Sequence, residues 1–242
     1  MPPILPASPG TNSIIGGPMP ALTAWLNAVI PLFAVLGAYA LAIYQGYDGV
    51  CNPFWSGCTS ISRAARYGDA LFLFRGLMLP LSSLLVIYWI FHYRWLNAWI
   101  GDRRRHAAIL WIGIISALAL TLYANFLGSD GQIYRFMRRT GVTFYFGLAM
   151  LAQLLSVHAL YKYRAQQPDQ LMHLVRWQFF FIVIQWLIGL MSLAVTIGQP
   201  DFRYQANNIL EWNFALAMTG FYAMSGLIWK KFWVTGDADQ AP

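Results

Sequence analysis

Two cysteines follow the first apolar segment of the sequence. Cys51 and Cys58 are separated by six residues. This spacing is typical of a structural disulfide, whereas catalytic thiol exchange favours two intervening residues. A disulfide that closes so short a loop stabilises the fold by roughly 2–3 kcal/mol and needs an oxidising compartment. We therefore expect a disulfide-closed loop on the non-cytoplasmic side of a membrane.

Three arginines lie close behind the cysteines. Ser60 or Ser62 is predicted to cap a short helix, which would place Arg63 and Arg66 on one face at i, i+3 spacing. Arg75 lies inside the second apolar segment, where an ionisable side chain must pair or reach the interface. Because the arginine fork binds phosphate and carboxylate, two interpretations stay open. These side chains contact acids and lipid phosphates in general, or they form a specific site for an anionic head group.

A carboxylate stands near the start of the last apolar segment, where Glu211, Trp212 and Asn213 follow one another. An unpaired carboxylate is costly to bury, so an arginine partner is expected. Arg75 is the first choice of partner, with Arg63, Arg66 and Arg203 as alternates. A structural salt bridge and a general acid or base both remain open for Glu211. The predicted lipid- or anion-binding residues are Arg63, Arg66, Arg75, Glu211 and Asn213, and no catalytic residue is assigned.

Four histidines are the candidates for metal or haem ligands: His92, His106, His158 and His173. The predicted topology places all four on one side of the membrane, which permits bis-histidine haem ligation between helices. Neither an H-x-x-x-H nor an E-x-x-H pattern is present. We therefore predict no metal and no cofactor, and a histidine-ligated membrane redox protein is the alternative.

The composition indicates what kind of structural element carries these residues. Of 242 residues, 58% are hydrophobic and 10% are charged, against about 45–50% and about 25% in soluble domains. A soluble chain of this size cannot bury so much apolar surface. The net charge of +7 is scattered singly, without the basic stripe of a nucleic-acid binder. The sequence excludes a soluble enzyme and a nucleic-acid-binding protein, and it indicates an integral membrane protein.

Six apolar stretches are long enough to cross a bilayer and lack the alternation of barrel strands. We predict an all-α bundle of six transmembrane helices over residues 21–233, with tails at 1–20 and 234–242. The predicted spans are 21–44, 70–91, 107–128, 141–161, 174–198 and 209–229.

The orientation follows from the basic residues of the loops. With a cytoplasmic amino terminus, nine of the 16 basic residues and all three lysines lie inside, and seven arginines lie outside. Both termini are therefore predicted to be cytoplasmic, in what we expect to be a bacterial inner membrane. The loop that carries the cysteines then faces outward.

The arrangement also resembles a known family. A Pro-Phe pair and a Ser-Ile-Ser segment occupy the first loop, and a Glu-Trp pair begins the last span. The chain is similar to the six-span membrane family of the DNA-damage-regulated autophagy modulators, the Golgi GPI-anchor lipid-remodelling protein and a yeast plasma-membrane phosphoinositide regulator. The matching stretches are Asn52–Arg75 and Ile209–Asn213. The resemblance implies lipid handling or regulation on the non-cytoplasmic face.

Together these observations favour a membrane protein that recognises or remodels a lipid through an outward-facing arginine and glutamate cluster. Its expected partners are membrane lipids with anionic head groups and no nucleic acid. Besides the redox protein, a structural or assembly subunit of a membrane complex is the other alternative. A homo-oligomer also stays open.

The orientation is directly testable. A reporter fused after Pro242 should be active only when it is a cytoplasmic reporter, because an even number of spans returns the chain to its starting side. Parallel fusions of a cytoplasmic and a periplasmic reporter provide the measurement. Activity of the periplasmic reporter alone would reverse the orientation.

Overall fold

The computed structural model describes residues 19–198 and 203–232, and every helix and turn named below lies within them. The predicted tails, 1–20 and 234–242, lie outside this range except for the last two residues of the first. The helices are α1 (Met19–Tyr44), α2 (Pro53–Ser56), α3 (Ile61–Ala64), α4 (Gly68–Ile100), α5 (Arg104–Phe126), α6 (Gln132–Lys162), α7 (Asp169–Gly198) and α8 (Arg203–Phe232). A short 3₁₀ turn, Arg164–Gln166, joins α6 to α7.

The long helices confirm an all-α membrane bundle. Within the described residues, α1, α4, α5, α6 and α7 are long and apolar enough to cross a bilayer. The sixth predicted span corresponds to α8, which has the necessary length at 30 residues but is less apolar. Its first half carries several amide side chains and Glu211. Five spans are therefore supported by length and composition, and the sixth stays a prediction.

Several helices are longer than the apolar stretches that predicted them. The structure begins α6 at Gln132 and not at residue 141, begins α8 at Arg203 and not at residue 209, and extends α4 to Ile100. Hydropathy marks only the part of a helix in contact with hydrocarbon, whereas the helix itself continues through the polar interface. As a consequence, arginines assigned to the loop before the fourth span lie on the first turns of α6.

Helices that follow one another in the sequence pack together, and α1 also packs against the last helix, α8. Helix α1 thus packs against both α4 and α8, while α7 packs mainly on α8 and meets α6 much less. The start of α1 lies beside the end of α8, because Trp25 contacts Gly226. We call the end of the bundle that carries residues 45–67 the loop end, and the other the opposite end.

Polar side chains connect the helices in the interior. The Gln185 Nε2 donates to the Gln153 Oε1 at 3.0 Å and so links α7 to α6. The Gln178 Nε2 donates to the Ser225 Oγ at 2.9 Å, and this hydroxyl lies 2.8 Å from the Tyr88 hydroxyl of α4. Such interhelical hydrogen bonds take the place of a hydrophobic driving force, which is absent between helices in lipid.

The connection between α1 and α4 confirms two sequence predictions and corrects a third. Cys51 and Cys58 form a disulfide, and the Ser60 side chain caps α3 by accepting from the Arg63 backbone N–H. The shared face predicted for Arg63 and Arg66 is wrong. Because α3 has four residues and ends at Ala64, Arg66 lies beyond the helix. Its side chain lines a cavity, whereas that of Arg63 contacts Asp48.

A glycine at the contact of α5 and α6 provides a test of the packing. A Cβ at Gly141 would lie 2.7 Å from the Tyr123 backbone nitrogen and 3.0 Å from the Ala119 carbonyl oxygen. Since backbone atoms would have to move, Gly141→Ala should lower the free energy of unfolding by about 1–3 kcal/mol. Thermal unfolding in detergent measures it.

The matched control is Gly76→Ala, because a Cβ at Gly76 in α4 would meet no atom within 4 Å. Alanine is the better helix former by about 0.5–1 kcal/mol, so this variant should match or exceed the wild-type melting temperature. Equal losses in both variants would contradict the close contact of α5 and α6.

Candidate functional site

Four side chains of α8 hold the loop that contains the disulfide. Each donates a hydrogen bond to a backbone carbonyl of residues 54–59, a segment with no sheet to satisfy those groups. The donor and acceptor residues are Gln205 with Ser56, Asn208 with Gly57, Trp212 with Thr59, and Asn213 with Phe54, at 2.8, 2.8, 3.0 and 3.1 Å. Asn213, which was predicted to bind lipid or an anion, therefore has a structural partner.

The loop lies directly against α8 and α1. Gly57 has a φ of +60°, and a Cβ there would lie 2.2 Å from the Gln205 carbonyl oxygen, so the close approach favours glycine. The Tyr39 hydroxyl accepts from the Cys51 N–H at 3.0 Å. Trp212 packs edge-on against Tyr39 and Phe54, with ring centroids 5.8 and 5.4 Å apart. Hydrogen bonds and aromatic contacts together fix the position of the loop.

Two of the predicted arginines have structural partners of their own. Arg63 is 61% exposed and its Nε lies 3.4 Å from the Asp48 carboxylate. Arg75 donates to three backbone carbonyls at the end of α5, those of Ala124, Asn125 and Leu127. The Arg75–Glu211 ion pair that the sequence suggested is therefore wrong. The last carbonyls of a helix have no donors within the helix. The Arg75 guanidinium supplies the missing donors.

A cavity of about 700 Å³ opens between α6, α7 and α8 beneath the segment that follows α3. We call it the α6–α8 cavity. Its polar end lies at the loop end of the bundle and is formed by Ser62, Arg66, Arg138, Arg139, Ser192, Asn207 and Glu211. Of the predicted site residues, the structure brings Arg66 and Glu211 together here.

Positive charge exceeds negative charge at the polar end. Arg66, Arg138 and Arg139 line it together with one carboxylate, and the charges of Arg66 and Arg139 both act on Arg138. Ser62 and Glu211 both line this end of the cavity. The Nε of Arg66 is buried and has no hydrogen-bond partner. An unsatisfied buried cationic donor requires an explanation, and an anion in the cavity would supply its acceptor.

The sequence reasoning missed Arg138 and Arg139, because it placed both in the loop before the fourth span. A signal was present in the spacing. Arg135, Arg138 and Arg139 recur at i, i+3 and i+4, the pattern of one helical face. The alternate partner proposed for Glu211, Arg203, has a side chain outside the described part of the structure.

The four histidines lie in different surroundings. His92 is buried at the opposite end among the rings of Tyr88, Trp89, Trp95 and Trp229, at centroid distances of 5.5–5.9 Å. The His106 Nδ1 lies 2.6 Å from the Asn97 Oδ1, while His158 and His173 are exposed on α6 and α7. Across residues 19–198 and 203–232, no three His, Cys, Asp or Glu side chains form a group that could hold a metal ion.

The fold and the cavity define a multi-pass helical membrane protein with an amphipathic cavity open at one end of its bundle. Residues 21–227 match the family described as the Frag1/DRAM/Sfk1/Cwh43P N-terminal domain, and the chain belongs to this family. The resemblance noted from the sequence is thereby confirmed. No curated protein and no solved structure is significantly similar to the chain.

The attachment of the loop to α8 can be tested at one atom. Trp212→Phe keeps a ring between Tyr39 and Phe54 but removes the indole N–H that donates to Thr59. We expect the free energy of unfolding to fall by about 0.5–1.5 kcal/mol and proteolysis to become faster within residues 45–67. Thermal unfolding and limited proteolysis in detergent provide the measurements.

Trp111→Phe is the control, because Trp111 is 61% exposed on α5 and should tolerate the change. Unchanged proteolysis of the loop in the Trp212 variant would mean that the indole hydrogen bond does not hold it.

Proposed function

We propose that this protein recognises a lipid with an anionic head group at the polar end of the α6–α8 cavity, on the non-cytoplasmic face of the membrane. The observation that carries the proposal is the buried, unpartnered Nε of Arg66, in a cavity that Arg138 and Arg139 also line. Arginine donors bind phosphate oxygens in a planar, often bidentate geometry. The head group is therefore proposed to be a phosphate.

The charge balance supports an anion and not a cation. Three guanidinium groups and one carboxylate line the polar end. Like charges held close together in a partly dehydrated site repel one another. A phosphate between the arginines reduces this repulsion and provides the missing acceptor for Arg66.

Glu211 and the neutral side chains at the polar end of the cavity offer hydrogen bonds to other groups of the lipid head. The Asn207 Oδ1 accepts from the Ser192 Oγ at 2.8 Å, and its Nδ2 donates to the Thr196 Oγ1 at 3.0 Å, so this side chain is held in place. An ionised carboxylate has several acceptor sites, and Glu211 lines the cavity. We propose that it accepts a hydrogen bond from a hydroxyl or ammonium group that belongs to the same head group. Binding is the proposed activity, with no catalytic step.

The proposed side of the membrane follows from the disulfide. Cys51 and Cys58 lie at the same end of the bundle as the cavity, and a disulfide forms in an oxidising compartment. We therefore propose that lipids of the non-cytoplasmic leaflet reach the polar end.

A single charge removal tests the head-group site. In phosphatidylcholine nanodiscs that contain phosphatidylglycerol, Arg138→Gln should weaken retention of phosphatidylglycerol at least about tenfold, since a hydrogen bond to a charged group contributes about 1.5–3 kcal/mol. Arg66→Gln should act in the same direction. Native mass spectrometry of the released protein counts the retained lipid.

Arg135→Gln is the matched control, because it removes the same charge one turn earlier on α6, from an exposed side chain that does not line the cavity. It should change retention by less than about twofold. Equal losses for Arg135→Gln and Arg138→Gln would reduce the effect to surface charge, and no loss in either cavity variant would overturn the proposal.

A further inference from the structure

The α6–α8 cavity continues from its polar end into an apolar part. Its walls there are side chains of α6, α7 and α8, namely Val142, Phe146, Met150, Ile188, Leu210 and Phe214. Met150 lies about three helical turns, roughly 16 Å, beyond Arg139 along α6. One leaflet of a bilayer has a hydrocarbon thickness of roughly 15 Å. The cavity thus has a charged end and an apolar depth that match one leaflet.

A pair of glutamines lies beyond the apolar part of the cavity, toward the middle of the bundle. Gln153 and Gln185 are fully buried and hydrogen-bonded to each other, one turn beyond Met150 on α6 and one turn before Ile188 on α7. Beyond this pair, toward the opposite end, the two helices stay in contact through Tyr161 and Phe179, whose ring centroids lie 5.9 Å apart.

Toward the loop end the cavity lies between the same two helices, and its lining there includes the exposed residues Gly147 and Gly189. In its loop-end half, α7 alone separates the cavity from the outer surface of the bundle. Ile188 and Ser192 face the cavity, while Leu190 and Leu193 of the same turns are 57% and 58% exposed on the bundle surface. In a bilayer this exposed surface lies against lipid chains, and the exposed Gly147 and Gly189 place the gap between α6 and α7 at the bundle surface as well.

Two glycines border this gap, one on each helix. Gly147 of α6 and Gly189 of α7 both line the cavity, and a Cβ at either position would meet no atom within 4 Å. Glycine inside a helix is unfavourable by about 0.5–1 kcal/mol relative to alanine. At Gly141 and Gly220 a neighbour fills the space above the glycine, whereas at these two positions the space is left open.

We infer that one hydrocarbon chain of the bound lipid lies in the gap between α6 and α7, against Gly147 and Gly189, and that the lipid reaches the site sideways from the bilayer. This inference rests on the proposed function and specifies its ligand as an anionic amphiphile whose chain is bound by the protein. A soluble anion would use only the arginines. The two glycines determine specificity, because their lack of side chains leaves the space between α6 and α7 that the hydrocarbon chain occupies.

Dodecyl phosphate in a maltoside detergent is the probe, and its affinity is measured by calorimetric titration. Gly147→Leu and Gly189→Leu should each weaken binding at least about tenfold, since each methylene displaced from an apolar site lowers affinity about fourfold. Both variants should keep the wild-type melting temperature, because the added side chain enters open space. Gly76→Leu on α4 is the control and should bind as the wild type does.

A second measurement locates the chain without any substitution. Phosphatidylglycerol with a photoactivatable diazirine in its acyl chain should label peptides around Gly147 and Gly189 more strongly than peptides around Gly76. If Arg138→Gln weakens dodecyl phosphate binding and the glycine variants do not, the chain path is wrong and the head-group site stands. If neither substitution has an effect, the head-group site is wrong as well. Labelling spread evenly over the lipid-facing helices would also overturn the chain path.

Discussion

The structure depends on one requirement, that backbone polar groups at the edge of a bilayer must have hydrogen-bond partners. Residues 54–59 form no sheet and only a single helical turn, so their carbonyls need outside donors. The first half of α8 supplies them from amide and indole side chains, including Asn208 and Trp212. This requirement accounts for the lower hydropathy of α8, and for the glycine at position 57, where the loop touches the helix backbone.

Helix α8 also lines the cavity, because one of its faces contacts the loop and another faces the cavity. Gln205, Asn208 and Trp212 recur at i, i+3 and i+7 and contact the loop. Asn207 and Glu211 recur at i, i+4 and line the cavity, as the period of an α-helix requires. The segment that follows the loop then places Ser62 and Arg66 in the lining of the cavity, together with Glu211 and the arginines of α6. The position of the site is therefore a consequence of how the loop is attached.

Local chemistry was predictable from the sequence, and the choice of tertiary partners was not. The helical class, the disulfide and the Ser60 cap each depend on neighbouring residues, and the structure contains all three. The partner of Arg75 depends on where α5 ends, and that end is 49 residues or more away along the chain. Arg138 was missed for a related reason. Hydropathy locates the part of a helix that lies in hydrocarbon but not the end of the helix. The charged first turns of α6 were therefore predicted to be a loop.

The arginine cluster links the stability of the loop end to its proposed ligand. Arg66 holds a buried donor without an acceptor beside two further guanidinium groups, an arrangement that is unfavourable on its own. A ligand that binds only the folded state stabilises it in proportion to the logarithm of its concentration over its Kd. Anionic lipid bound here, as proposed, would stabilise Arg66 and the segment that carries it. On this proposal, the loop end of the bundle is more stable with an anionic lipid bound than without it.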